Sequence, residues 1–283
     1  MDSIPKTLWI YWHEGFEKAP ELVKLCHRSW QRLNPDYEFQ SLSDENLSDY
    51  IVPGAGLQYF DELPLQKQAN IIRKQLLVAY GGVWVDATLL CTRPLEDWLP
   101  RNFPNGFLVM GNNTVDTRLS NWFIAATPGN IFVTKWLEAT LSYFSRSRSK
   151  TPPVGLRFIH KQILRSTRRG GIGLKFWTHP FAKQFWPYYP HYISHYLAAE
   201  VLANLGILED SSLGESIFES PWGPFSLRGR ANSYDGDPTQ ELLTELYSGS
   251  IPPMLKLNHR PSSIERQIFD PVVHLVEDWL QSK

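Results

Sequence analysis

The sequence predicts an α/β protein with a mostly parallel sheet flanked by helices, and three observations carry that expectation. An aromatic and β-branched run at residues 7–12 (Thr-Leu-Trp-Ile-Tyr-Trp) is followed by Leu22, Cys26, Trp30 and Leu33 at helical spacing. Strand and then helix patterns recur at residues 37–51, and this alternation puts parallel strands beneath covering helices. An apolar stripe after Pro64 ends at Tyr80-Gly81-Gly82 and leads straight into Val83-Trp84-Val85-Asp86-Ala87.

Pro5 and Gly15 bound the first strand, which its apolar content marks as central. The helix behind it stops before Asn34-Pro35, because the residue preceding proline is driven out of the helical region. Tyr37 to Leu42 alternates as a second strand, and Ser43-Asp44-Glu45-Asn46 supplies the N-terminus of a short helix carrying Leu47, Tyr50 and Ile51. The helix after Pro64 presents Leu65, Ala69, Ile72, Leu76 and Ala79 along one side, with Gly81 as its left-handed cap. In the strand that follows, Val83 and Val85 share one face, Trp84 and Asp86 the other. Asp86 thus stands near the carboxyl end of a buried strand, where open α/β sheets bind ligands.

Ser120 to Thr127 reads as a further strand continuing the parallel pattern, and Pro128-Gly129-Asn130 starts a helix with Val133, Leu137, Leu141 and Phe144 on one side. Residues 145–153 are polar, basic and Pro-terminated, which predicts a mobile connection. Two helices are expected around the loop from Arg165 to Gly173, the second over about Tyr192 to Leu205. The Gly170-Gly171-Ile172-Gly173 run reads as flexible loop.

With 283 residues, 42% of them hydrophobic and 20% charged, the chain can fold around a sizeable core. A net charge of −1 offers no global attraction for a phosphate backbone and argues against nucleic-acid binding as the main function. The 11 Trp, 12 Tyr and 15 Phe provide flat faces that stack on bases and sugars as well as filling cores. Cys26 and Cys91 fall within apolar stretches and are expected to be buried, reduced thiols. The first residues lack the basic start and apolar core of a signal peptide, and no run approaches the ~20 apolar residues of a transmembrane segment. The expectation is a cytoplasmic protein, with peripheral work at a membrane surface left open.

An acid after a Gly-Gly turn is either a solvated carboxylate or a ligand for metal. The sequence has no Gly-x-Ser-x-Gly elbow, no phosphate-binding Gly-x-x-x-x-Gly-Lys-Ser/Thr loop, no Cys-x-x-Cys pair and no Gly-x-Gly-x-x-Gly fingerprint after its first strand. Gln68-Ala69-Asn70-Ile71-Ile72-Arg73, Leu76-Leu77 and the stretch from Tyr80 to Thr88 resemble the donor-site signature of retaining glycosyltransferases with the GT-A fold. The likeness is to capsular polysaccharide synthesis proteins related to glycosyltransferase family 32. It takes in Ile4-Pro5-Lys6 through Trp12, Ser29-Trp30 and Asn121-Trp122 to Ala126, and is good to about residue 145.

The resemblance implies transfer of a sugar from a nucleotide-diphosphate donor (UDP- or GDP-sugar) to a glycan, lipid-linked or small-molecule acceptor, with retention. It implies a single GT-A domain over 1–283: a donor half at 1–145, then an acceptor-shaping, helical half at 146–283 whose C-terminal segment returns to the donor site. A divalent ion, Mn²⁺ or Mg²⁺, would stabilise the leaving diphosphate as a Lewis acid. Asp86 matches the first acid of the family's Asp-x-Asp pair, and Thr88 stands at the second, a departure that offers a weaker, neutral ligand. Arg73 matches an arginine beside the donor sugar and the acids; Asn70 stands where an aspartate often contacts ribose. The alternative for both is an exposed helix face.

Trp9 aligns with an aromatic that stacks on the base, and Trp12 with the same mouth of the sheet, the alternative being core packing. Asn121 is a candidate contact to the donor sugar. Lys256 and Arg260 are candidates to balance the donor's charge, and His259 to complete the metal shell, against a structural or solvated role for that histidine. The departures Thr88 and Asn70 leave open a non-catalytic member of the fold that binds a sugar, nucleotide or partner.

Overall fold

A computed structural model describes residues 3–100, 103–111, 119–150, 153–156, 158, 172–190, 192–207, 217–218, 225–227, 230, 234–258 and 264–283. Its strands are β1 (Thr7–Tyr11), β2 (Glu38–Leu42), β3 (Gly82–Val85), β4 (Leu89–Cys91), β5 (Phe107–Gly111), β6 (Leu119–Ala126), β7 (Ile217–Phe218) and β8 (Met254–Lys256). Six form a sheet in the order β2-β1-β3-β6-β5-β7, and β4 pairs separately with β8. The result is the mixed, largely parallel α/β sheet flanked by helices that the strand and helix order predicts.

The chain divides into two compact units that interleave in sequence. One comprises Lys6–Asn46, Val85–Arg101 and Glu219–Lys283; the other Met1–Pro5, Leu47–Trp84 and Asn102–Phe218.

In the unit that contains β1, this strand runs parallel to β2, with Thr7 opposite Glu38 and Tyr11 opposite Leu42. Leu8, Trp9 and Ile10 are all buried, as expected of a strand covered on both faces. At the sheet's edge, β2 buries only Leu42. Helix α1 (Glu21–Leu33) buries Leu22, Val23, Leu25, Cys26, Ser29, Trp30 and Leu33. It ends at Asn34, whose side chain donates to the Trp30 carbonyl at 3.0 Å and accepts from the Leu95 amide at 2.7 Å, so one residue satisfies both the helix end and the next turn. The short helix expected after Ser43 is a single 3₁₀ turn, Leu47–Asp49, which belongs to the other unit.

In that other unit, helix α2 (Leu65–Tyr80) packs against α3 (Ile131–Phe144), and α3 against α6 (Ile193–Asn204); between them in sequence lie α4 (Ile172–Thr178) and α5 (Pro180–Phe185). Asn130 caps α3 by accepting from the amides of Phe132 and Val133. The buried side of α3 is Phe132, Val133, Trp136, Thr140, Tyr143 and Phe144, so the expected stripe is rotated and Leu137 and Leu141 lie at its margin.

Several expectations require correction. The sheet is not parallel throughout: β6 is antiparallel to β5, a strand the sequence reading did not include, while β5 is parallel to β7. On α2 the ends of the expected stripe, Leu65 and Ala79, are exposed, whereas Lys67, Asn70, Arg73, Lys74 and Gln75 are buried with Ile71, Ile72, Leu76 and Leu77. The helix is enclosed on nearly all sides, which erases the amphipathic pattern. Gly81 has φ 66° and ψ −154°, an extended left-handed conformation open essentially to glycine alone rather than a left-handed helical cap. The connection after α3 is pinned at Arg148, which donates to the carbonyls of Tyr143 at 2.6 Å and Trp186 at 3.1 Å and to that of Lys183, with its guanidinium over the Tyr143 ring. Ile172 and Gly173 open α4 instead of continuing a loop, and residues 159–171 lie outside the described set. No described helix is long and apolar enough to cross a membrane.

Candidate functional site

The loop Asp86-Ala87-Thr88 leaves the carboxyl end of β3 and turns at once, the Leu89 amide donating to the Asp86 carbonyl at 2.9 Å. Behind it, α1 braces the return strand β4: the Trp30 indole donates to the Leu89 carbonyl at 2.7 Å, and the Ser29 hydroxyl accepts from the Cys91 amide at 2.9 Å while donating to the Cys26 carbonyl at 2.6 Å. Ser29 and Trp30 thus fix the height at which the loop emerges, and they do so from inside the core, where both are fully buried.

On the other flank β8 pairs with β4, Leu89 opposite Lys256 and Cys91 opposite Met254. The Leu257 amide donates to the Thr88 carbonyl at 2.9 Å, and the Lys256 amide to the Phe225 carbonyl at 2.7 Å. With its backbone held on both sides, Lys256 extends its ammonium to the Asp86 carboxylate at 3.1 Å and to the Thr88 hydroxyl at 2.7 Å. The Lys256 and Asp86 side chains are 26% and 23% exposed, so the pair is fixed yet within reach of a ligand.

A hard divalent cation such as Mg²⁺ takes about six oxygen ligands, usually one or two carboxylates with waters and substrate phosphates. This loop offers one carboxylate and one neutral hydroxyl, both already bonded to an ammonium. An ion bound to the same oxygens at about 2.1 Å would face that like charge at close range. Among the described residues no group of three or more His, Cys, Asp or Glu side chains converges. As arranged, Asp86 and Thr88 hold an ammonium where the resemblance implies Mn²⁺ or Mg²⁺; His259 and Arg260, the other candidates of this segment, lie outside the described residues.

In the unit that contains α2, a second set of candidates converges. Arg73 donates to the Ala69 carbonyl at 3.1 Å and to the Asn121 carbonyl, and its guanidinium lies 5.1 Å from the centre of the Trp84 ring. The Asn121 amide donates to Asn70 Oδ1 at 2.8 Å. Asn70, Arg73 and Asn121 are 8%, 5% and 8% exposed. This excludes the exposed-face alternative for Asn70 and Arg73, and makes the cluster a rigid, hydrogen-bonded wall.

The two aromatic candidates separate. Trp9 is 2% exposed and forms part of the core, whereas Trp12 is partly exposed. Two features escaped the sequence reading. Trp84 underlies Arg73, which strand alternation placed on the face of Asp86 without a role. The contact of Lys256 with Thr88 was signalled by the threonine itself, since losing an acid changes how much positive charge the loop needs.

Residues 1–152 match a family model described as capsular polysaccharide synthesis protein. The chain is 30% identical over 152 residues to O-glycosyltransferase braB of Annulohypoxylon truncatum, covering 47% of this chain and 36% of that protein. It is 26% identical over 138 residues to inositol phosphoceramide mannosyltransferase 3 of Schizosaccharomyces pombe, covering 46% and 37%. It is also 26% identical over 109 residues to the initiation-specific alpha-1,6-mannosyltransferase of Saccharomyces cerevisiae, covering 35% and 22%. The matched region thus spans little more than a third of these relatives at most. Among solved structures, PaToxG glycosyltransferase aligns with 73% of this chain and 88% of its own at 16% identity, with a TM-score of 0.42.

Proposed function

The chain belongs to the capsular polysaccharide synthesis protein family, and on that premise we propose that it is a glycosyltransferase moving a hexose from a nucleotide-diphosphate sugar to an acceptor hydroxyl with retention. The observation that carries the reading is the Lys256 ammonium held beside Asp86 and Thr88 on the loop at the carboxyl end of β3. When the sugar leaves, negative charge develops on the diphosphate, and a preorganised cation lowers the barrier because it need not reorient during reaction.

In this reading Lys256 binds the diphosphate, Asp86 orients the ammonium, and Thr88 completes its hydrogen bonds. Trp12, in the same unit, borders the base. No step in this reading is routed through a divalent ion, because the Asp86 carboxylate and the Thr88 hydroxyl are already bonded to the Lys256 ammonium. The acceptor is a glycan, a lipid-linked sugar or a small molecule. The relatives' names support sugar transfer to different acceptors, and the exposed aromatics of the segment from Phe176 to Tyr196, namely Phe181, Phe185 and Tyr192, would suit an apolar one.

The test is sugar transfer or donor hydrolysis from UDP- and GDP-hexoses, comparing the chain with Asp86→Ala. Loss of at least about a hundredfold in turnover, the scale on which one preorganised electrostatic group acts, is expected with circular dichroism unchanged. Equal turnover would remove Asp86 from the mechanism. Thr88 in place of an acid also favours a second reading, a binding protein of the same fold without transfer. Donor binding without turnover by any acceptor or water would select it.

A further inference from the structure

We propose that the Lys256 ammonium does the work of a divalent cation at this site, so that the protein binds its nucleotide diphosphate without metal. This rests on the donor reading above and deepens it. Asp86 brings one negative charge and Thr88 none; Lys256 brings one positive charge and contacts both. Two carboxylates with a dication sum to zero, and so do one carboxylate and one ammonium. The neutral residue at 88 and the lysine at 256 are therefore two halves of one charge balance.

The placement also has the geometry of a built site. Lys256 lies in β8, whose pairing with β4 and whose neighbouring amide bond to the Thr88 carbonyl fix the lysine backbone against the loop it serves. An ammonium has three N–H donors. One goes to Asp86 and one to Thr88, and the third has no acceptor among the described residues. With a quarter of the side chain exposed, that donor and the charge are available to a phosphate oxygen. A lysine acts there as a point charge, without bidentate geometry. Thr88 is nearly buried, so its hydroxyl is a fixed acceptor that holds the ammonium at the loop when a phosphate competes for it.

Titration calorimetry on the full chain, dialysed against EDTA, tests this with UDP, GDP and their hexose sugars, repeated in MnCl₂ and in MgCl₂. The expected result is one nucleotide diphosphate bound with the same Kd in EDTA and in either metal. Lys256→Met should weaken that binding about ten- to a hundredfold, the cost of one hydrogen bond to a charged group, with Lys256→Arg recovering part of it. The double variant Thr88→Asp with Lys256→Met should bind only when Mn²⁺ is added. Binding by the unmodified chain that appears only with metal, or that strengthens tenfold or more on adding it, overturns the proposal and leaves the donor reading standing. No binding of any nucleotide in any condition overturns both. The comparison of EDTA with metal uses the unmodified chain, so it decides the question even where Lys256→Met fails to fold.

Discussion

Some side chains carry a charge state set by packing rather than by solvent. His27 lies 4.1 Å from the Phe16 ring and edge-on to Phe39, with one ring nitrogen 2.7 Å from the Ser41 hydroxyl. Burial among these rings, reinforced by the nearby charge of Arg28, lowers its pKa from 6.5 to about 4. The unfolded chain therefore binds the proton more readily, and stability rises with pH across that interval. His27 contributes nothing adverse above pH 6.5, and stability is lost as pH falls from there toward 4. Urea titrations should show a falling midpoint over this range, and His27→Gln should flatten the fall. Lys74 presents the same physics at a second cationic side chain. Fully buried, it donates to the Ser194 hydroxyl at 3.2 Å with its ammonium 4.5 Å from the centre of the Trp136 ring, and burial holds its pKa well below the usual lysine range.

At the scale of elements, the turn from α2 into β3 is a tight joint. A Cβ on Gly81 would lie 2.7 Å from both Pro128 Cδ and the Pro128 nitrogen and 2.8 Å from the Ala126 carbonyl oxygen. The Gly129 amide meanwhile donates to the Val78 carbonyl at 2.8 Å, tying the start of the next connection to the end of α2. Gly81→Ala combines a disfavoured φ with contacts to backbone that cannot yield. It should cost at least about 1–3 kcal/mol, read as a lowered Tm with unchanged secondary structure. The joint sets where β3 begins.

For the whole molecule, the two thiols report the integrity of the unit that holds the Asp86 loop. Cys26 and Cys91 are free and fully buried, and burial pushes each pKa from 9 up to about 12. In the folded protein both should resist an aromatic disulfide reagent at pH 8, since the thiolate is the reacting form, and both should react once the chain is unfolded in guanidinium. A thiol that reacts at once in native buffer would show that α1 and β4 part locally. Raised thiol pKa values stabilise the fold fully below pH 9, and that contribution is lost as pH rises from 9 toward 12.

Periodicity and turn chemistry by themselves determined β1, α1, β2, α2, β3, β6 and α3, the helix start at Pro128-Gly129-Asn130, the buried cysteines and the place of Asp86 at the end of β3. Each of these is a local property, written in a few neighbouring residues. Tertiary structure decided what depends on residues far apart in the chain. It reversed β6 against β5, enclosed the polar side chains of α2 and fixed Arg148 across a segment rich in serine and arginine. It also carried Lys256 across 168 positions to the Thr88 hydroxyl. The sequence marked 256 as a charge for the donor, but the bond that defines its role is made by the pairing of β8 with β4. No local pattern encodes a pairing between segments so distant, because its free energy is gained only when the intervening chain has already folded.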